Sequence, residues 1–336
     1  MGEAVPRFPL FVHAWFRSGS TYIWGKLRKN ENLICYYEPF HEVLAEPSLL
    51  DQIENHAPLE TSKSLRHPVE DRHYFFEYRN LLRENRLNFV PELSYHRYFL
   101  AEDQPDADRF RYIETLIAFA SETARSPVFC FCRSPMRSAW IKKQFNGTNI
   151  AQIREPVSQY NSFEVLPYFR TTMIKIALDI WRASPRCFAH IPNFDRFAAA
   201  FEKRAGLPPD QLYQFFLKPE DFKAIFFLIW SLSALQSISI CDLVLDIDRL
   251  SNDPSYQQAM RDWFGELGCE ADFSDCKSPL SADANDGATS ELIAQTGRAL
   301  KAEASSLLIC DAQKVENAFA FLSDQTRRAL ATLMIG

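Results

Sequence analysis

The apolar run Phe8–Trp15 passes directly through the turn Arg17-Ser18-Gly19-Ser20-Thr21 into a helical stretch, Thr21–Lys29. A strand that feeds a helix through a glycine-bearing turn needs a layered α/β fold, because each element must bury its apolar face against the other. The same rhythm continues downstream. Leu33–Tyr37, Pro127–Cys132, Asn149–Ile153 and Asp242–Ile247 read as further short buried strands. Helical stretches separate them, one opening at Pro135 and another spanning Asp221–Ile240. Proline at a helix start is harmless, since its missing N–H would have no partner there. The pattern predicts an α/β protein with a mainly parallel sheet flanked by helices.

The first turn also carries chemistry. Gly19 permits a tight turn, and the amides after it open a helix whose positive dipole end suits an anion. Ser18, Ser20 and Thr21 add hydroxyls, one of Ser20 and Thr21 being expected to cap the helix. Arg17 supplies a fixed positive charge. No lysine follows Gly19, and the spacing GxxxxGK[ST] is absent, so this is not the loop that holds the β- and γ-phosphates of ATP. It suits a donor without a γ-phosphate. A second constellation begins at the end of the fourth strand: Arg154, then Glu155-Pro156, with Ser162 eight residues after Arg154. An arginine at a strand's carboxyl end and a serine two turns into the next helix are expected to converge on one anion, where open parallel sheets bind ligands.

Composition narrows the function classes. Of 336 residues, 47% are hydrophobic and 28 are Phe, enough for a sizeable core. The formal net charge of −6 argues against a general nucleic-acid binder. The eight cysteines form no CxxC pair, so no metal site is expected. Cys130 and Cys132 alternate in an apolar run and read as buried free thiols, which fits a reducing, cytoplasmic setting. Met1–Leu10 lacks the features of a signal peptide. Ala224–Ile240 is uncharged but carries Ser231, Ser233, Gln236, Ser237 and Ser239, and reads as a core helix rather than a membrane span.

Residues 1–336 read as a single α/β domain, with 45–125 as a helical insertion and 289–336 as C-terminal helices. The insertion mixes bases (Arg66, Arg72, Arg79, Arg83, Arg86, Arg97) with acids (Glu70, Asp71, Glu77, Glu84, Glu92), the signature of a solvated helical face. Its place near the strand ends makes it the expected acceptor-binding cap.

Together the motifs resemble the sulfotransferases that use 3′-phosphoadenosine 5′-phosphosulfate (PAPS). Phe16-Arg17-Ser18-Gly19-Ser20-Thr21 is similar to that family's 5′-phosphosulfate loop, in the arginine-containing form of its carbohydrate and tyrosylprotein branches. Arg154 and Ser162 match the pair that binds the 3′-phosphate. Tyr37-Glu38-Pro39-Phe40-His41 looks like a segment of the carbohydrate branch, and Trp230 through Leu250 resembles a family region in degraded form. The resemblance covers about half the chain. It implies a P-loop-like sulfotransferase architecture, PAPS as donor substrate, no metal, and a glycan or small-molecule acceptor with a hydroxyl or amine. The acceptor must lose a proton. Glu38 is the expected base, because the second strand should end beside the loop, and His41 and Glu42 are the other candidates. The family's acidic-tyrosyl segment is replaced here by Leu245-Asp246-Ile247-Asp248, and its C-terminal donor loop has no counterpart beyond Lys277. A nucleotide-dependent kinase and a non-catalytic nucleotide-binding protein on a related fold are the competing readings.

Overall fold

The computed structural model describes residues 8–56, 72–164, 167–203 and 215–278, with short helical pieces between 291 and 320. Most of the expected C-terminal helices at 289–336 therefore lie outside the described residues, as do Arg66, Glu70 and Asp71 of the insertion. The chain divides into two compact units. One comprises residues 1–96, 100–154 and 240–278, and the other residues 97–99, 155–239 and 279–336.

The first unit contains five strands: β1 (Leu10–Ala14), β2 (Leu33–Tyr37), β3 (Ser126–Phe131), β4 (Thr148–Ile153) and β5 (Leu243–Asp246). They form one sheet in the order β2-β3-β1-β4-β5, and every neighbouring pair is parallel. Such a sheet is covered on both faces, so its strands read as continuous apolar runs. β1 and β2 are buried along their whole length. β1 is shorter than the expected Phe8–Trp15. Trp15 leaves the parallel ladder for an antiparallel bridge to Arg133, and the chain then turns at Arg17, whose φ is +65°. The next helix, α1, spans Ser20–Leu27. The helix expected from Pro135 begins as a 3₁₀ turn, Pro135–Arg137, and continues as Ser138–Gln144.

The segment between β2 and β3 is helical, and much of it is core. Its longest helix, Ala107–Glu122, buries Tyr112, Ile113, Leu116, Phe119 and Ala120, a stripe at helical spacing. Tyr112 Oη donates to the Pro39 carbonyl (2.6 Å), and Tyr36 Oη of β2 donates to the Leu116 carbonyl (2.8 Å). Phe75, Tyr78 and Leu81 are fully buried in the same core as Phe11, Phe129 and Phe131. Some charges lie outside, while Arg109 and Glu77 are buried and paired with Asp106 and Arg28. Arg86 pairs with Glu84 and Glu122, and Arg83 pairs with Glu54, all on exposed side chains.

In the second unit the described elements are helical: Pro156–Phe163, Pro167–Ala183, Phe194–Lys203 and Pro219–Ile240. The last is long and apolar enough to cross a membrane by length and composition alone, yet 78% of its most apolar window is buried inside the protein. Tyr160 packs edge-on against Phe226 of this helix, and Trp230 Nε1 donates to Gln159 Oε1 (3.1 Å). A helix that is hydrophobic all round and wrapped by its own chain behaves as a core element.

Candidate functional site

Strand order concentrates the interesting residues at one place. β1 and β4 are neighbours, but the chain leaves β1 for β2 on one side and leaves β4 for β5 on the other. Connections that diverge in this way open a crevice outside the carboxyl ends of the two strands. The turn Trp15–Thr21 and Arg154 both lie there.

Gly19 takes the left-handed conformation (φ +87°, ψ +17°) and is the N-cap of α1. Tyr22 and Ile23 donate to the Gly19 carbonyl (3.0 and 3.2 Å). The amides of Ser20 and Thr21 precede any carbonyl that the helix could offer them. The N-cap residue, a glycine, gives this helix end no side-chain cap. The expectation that Ser20 or Thr21 caps the helix is therefore corrected. Ser20 Oγ instead meets Cys132 Sγ (2.9 Å) and Thr21 Oγ1 meets Tyr37 Oη (3.1 Å), because both residues already stand inside the helix. Ser18 is 1% exposed, and its hydroxyl has no hydrogen-bond partner among the described residues. Its carbonyl accepts from Gln152 Nε2 of β4 (2.9 Å), which ties the loop to the neighbouring strand. Burial holds the Arg17 guanidinium below the usual arginine range; Tyr37 and Glu38 oppose the shift and Arg154 adds to it. It stays cationic.

The strand-to-helix turns after β5 and β4 differ. Asp246 accepts from the amides of Asp248 and Arg249 at the start of helix Ile247–Asn252 (3.0 and 3.1 Å). Glu155 accepts from Val157 and Ser158 at the start of Pro156–Phe163 (2.8 and 2.7 Å). Both of these helix ends carry their own carboxylate; the N-caps of α1 and of the helical turn after β3 supply no side-chain cap.

Arg154 braces the loop. Its Nη1 donates to the Arg17 carbonyl (3.2 Å) and its Nε to Ser278 Oγ (3.1 Å), which in turn donates to Asp248 Oδ1 (2.6 Å). Ser278 thus brings the segment containing exposed Lys277 to this arginine. Ser162 lies in helix Pro156–Phe163 of the second unit and is half-buried.

Glu38 stands directly after β2 with φ +38°, its amide donating to the Cys130 carbonyl (2.9 Å). Its Oε2 accepts from Arg133 Nη1 at 2.6 Å. The same guanidinium reaches Glu42 Oε2 through Nη2 (2.8 Å), and Tyr95 Oη donates to Glu42 Oε1 (2.7 Å). Both oxygens of Glu42 are therefore engaged. His41 caps the turn Glu42–Ala45, its Nδ1 accepting from the Val43 amide (3.1 Å), so Nε2 carries the hydrogen. Loss of water, with Arg133 adding to it, pushes its pKa below the ordinary histidine value. The ring is neutral at neutral pH, with its basic lone pair committed to backbone. Sequence reasoning missed Arg133, Gln152, Tyr95 and Ser278. The carboxyl-end position of Arg133 after β3 was the available signal.

No protein-family model, curated protein or solved structure matches the chain.

Proposed function

We propose that the protein is a sulfotransferase with the P-loop-like architecture of that family, taking PAPS as donor. The reading rests chiefly on the turn after β1: a helix end without a side-chain cap beside a buried, unpartnered Ser18 hydroxyl. A phosphate or sulfate oxygen would give that hydroxyl the acceptor it lacks, and the amides of Ser20 and Thr21 the anion their position favours. The residues fit such a donor. Arg17, Ser18, Gly19, Ser20 and Thr21 would hold its 5′-phosphosulfate, and Arg154, which is braced against the same loop, its 3′-phosphate.

The donor supplies an activated sulfuryl group; the chain's contribution is position and charge. Arg17 and the loop amides would stabilise charge growing on the departing phosphate. Of the three candidate bases, Glu38 is the group to take the acceptor's proton, because it stands directly after β2 and acts on the Arg17 guanidinium of the loop. The lone pair of His41 is on the Val43 amide. The acceptor would be a glycan or small molecule bearing a hydroxyl or amine, and the setting the cytoplasm.

One observation favours a second reading, a nucleotide-binding protein without transfer: the Glu38–Arg133 pair commits one oxygen of the expected base to a buried cation. Calorimetry with adenosine 3′,5′-bisphosphate, PAPS and Mg-ATP separates the readings. We expect the bisphosphate to bind far more tightly than Mg-ATP, and PAPS to be consumed when a panel of sugar, phenol and amine acceptors is added. Equal binding of Mg-ATP and the bisphosphate would favour a kinase. Tight bisphosphate binding without PAPS turnover would favour the non-catalytic reading.

A further inference from the structure

Arg133 is 1% exposed and lies at the centre of the acid cluster. Its two terminal nitrogens go to two different carboxylates, Glu38 at 2.6 Å and Glu42 at 2.8 Å, and Nη2 also approaches Tyr95 Oη (3.3 Å). The guanidinium lies over the rings of Phe16 (4.9 Å) and Tyr95 (5.4 Å). Phe16 belongs to the phosphate loop, and the backbone of Arg133 is bridged to Trp15, immediately before it. Its carbonyl is held by Arg137 Nη1 (3.2 Å). One planar fork therefore contacts the loop on its face and both carboxylates along its edge, a geometry open to arginine and closed to lysine.

We infer that Arg133 is a positioning residue for the transfer reaction: it holds Glu38 at a fixed place relative to the phosphate loop, with Glu42 and Tyr95 as the opposite anchor. The role rests on the sulfotransferase reading. Buried ion pairs are weak devices for stability, and their best-attested use is to fix an arrangement. The two carboxylates differ in access, Glu38 having a side chain 12% exposed and Glu42 one 30% exposed. The outer one, tied by Tyr95, serves as ballast for the guanidinium, and the inner one faces the loop. The groups around Glu38 are Arg133 and Cys132 from the end of β3, Arg17 from the loop, Tyr37 from β2, and His41 and Glu42 from its own turn.

The test uses the full chain, adenosine 3′,5′-bisphosphate as binding probe and PAPS turnover as rate. Arg133→Gln should keep bisphosphate affinity within about threefold and lower kcat about a hundredfold, the scale of a misplaced reacting group. The acid limb of its pH profile should move to higher pH, since a cation beside a carboxylate favours the ionised form. Arg133→Lys should recover little of the rate, for it restores charge without the fork. Glu42→Gln, on a more exposed residue, should lower kcat about tenfold at unchanged bisphosphate affinity and decides the matter if Arg133→Gln does not fold. Wild-type kcat and pH profile in either variant would overturn the role. If the unsubstituted chain fails to bind the bisphosphate, the donor reading itself falls. If it binds the bisphosphate but turns over no PAPS, the transfer reading falls and the positioning role with it.

Discussion

Acidification should weaken the protein through His13, by an amount that follows from its surroundings. His13 lies in β1, fully buried. Its Nε2 donates to Asn149 Oδ1 (2.9 Å), so Nδ1 is the acceptor for the Ser134 hydroxyl (2.7 Å). A second proton on Nδ1 would turn that hydroxyl hydrogen out into the core. Burial lowers the pKa from 6.5 to about 4, against the pull of the Asn149 bond and Asp242 and with a smaller push from Lys142. Between these values the unfolded chain takes up a proton that the folded chain refuses. The stability is full above pH 6.5 and falls as the pH approaches about 4. At ~1.4 kcal/mol per unit the loss attributable to this one ring is roughly 2–3 kcal/mol by about pH 4.5. Urea denaturation of the unsubstituted protein and of His13→Gln, each across about pH 7.5 to 4.5, isolates it, because every other titrating group is common to both. His73, also lowered to about 4, cancels in the same way. The two curves should converge as the pH falls. Parallel curves would refute the reasoning and leave His13 protonated, or partnered otherwise, in the folded state.

Two further substitutions probe the loop. Gly19→Ala should cost ~1–2 kcal/mol in urea denaturation, because its φ of +87° is strained for any residue with a Cβ; the nearest atom, on Ile247, would sit at an ordinary 3.4 Å. Calorimetry should show bisphosphate affinity falling with it, and unchanged stability would mean that the turn relaxes freely. Arg154→Ala should weaken the 3′,5′-bisphosphate by one to two decades, ~1.5–3 kcal/mol, and adenosine 5′-phosphosulfate by less. Equal losses would restrict Arg154 to bracing the Arg17 carbonyl and Ser278.

How much of this was legible depended on how local the cause was. β2 was readable to the residue and β4 to within one, since a strand buried on both faces announces itself as an apolar run. The turn at Gly19 was readable because glycine suits a conformation that most residues avoid. The capping reading failed where tertiary neighbours intervened: Cys132 and Tyr37 drew the hydroxyls of Ser20 and Thr21 away from the helix end. The partners of Arg133 were hidden for a related reason, although its place at the carboxyl end of β3 was readable. Its partners Glu38 and Glu42 lie 95 and 91 residues away in sequence, and nothing near Arg133 marks them. Helix Ala107–Glu122 held its buried stripe in plain sight, but the mixed charges upstream, from Arg66 to Arg97, made the whole segment look solvated. Among Glu38, His41 and Glu42 the sequence pointed to Glu38 from its place after the second strand, but it could not show the bonds that Val43 makes to His41 and Tyr95 to Glu42.

Arg137 completes the picture from below. It is fully buried, and its guanidinium reaches the carbonyls of Arg133, Ser94 and His96 (3.2, 3.2 and 3.0 Å). A guanidinium on peptide oxygens has nothing to titrate within the range where proteins live, because neither side of the contact gains or loses a proton there. The charged cluster at Glu38 and Glu42 thus hangs from a backbone fastened at Arg133 and on both sides of Tyr95 by contacts that no change of pH undoes.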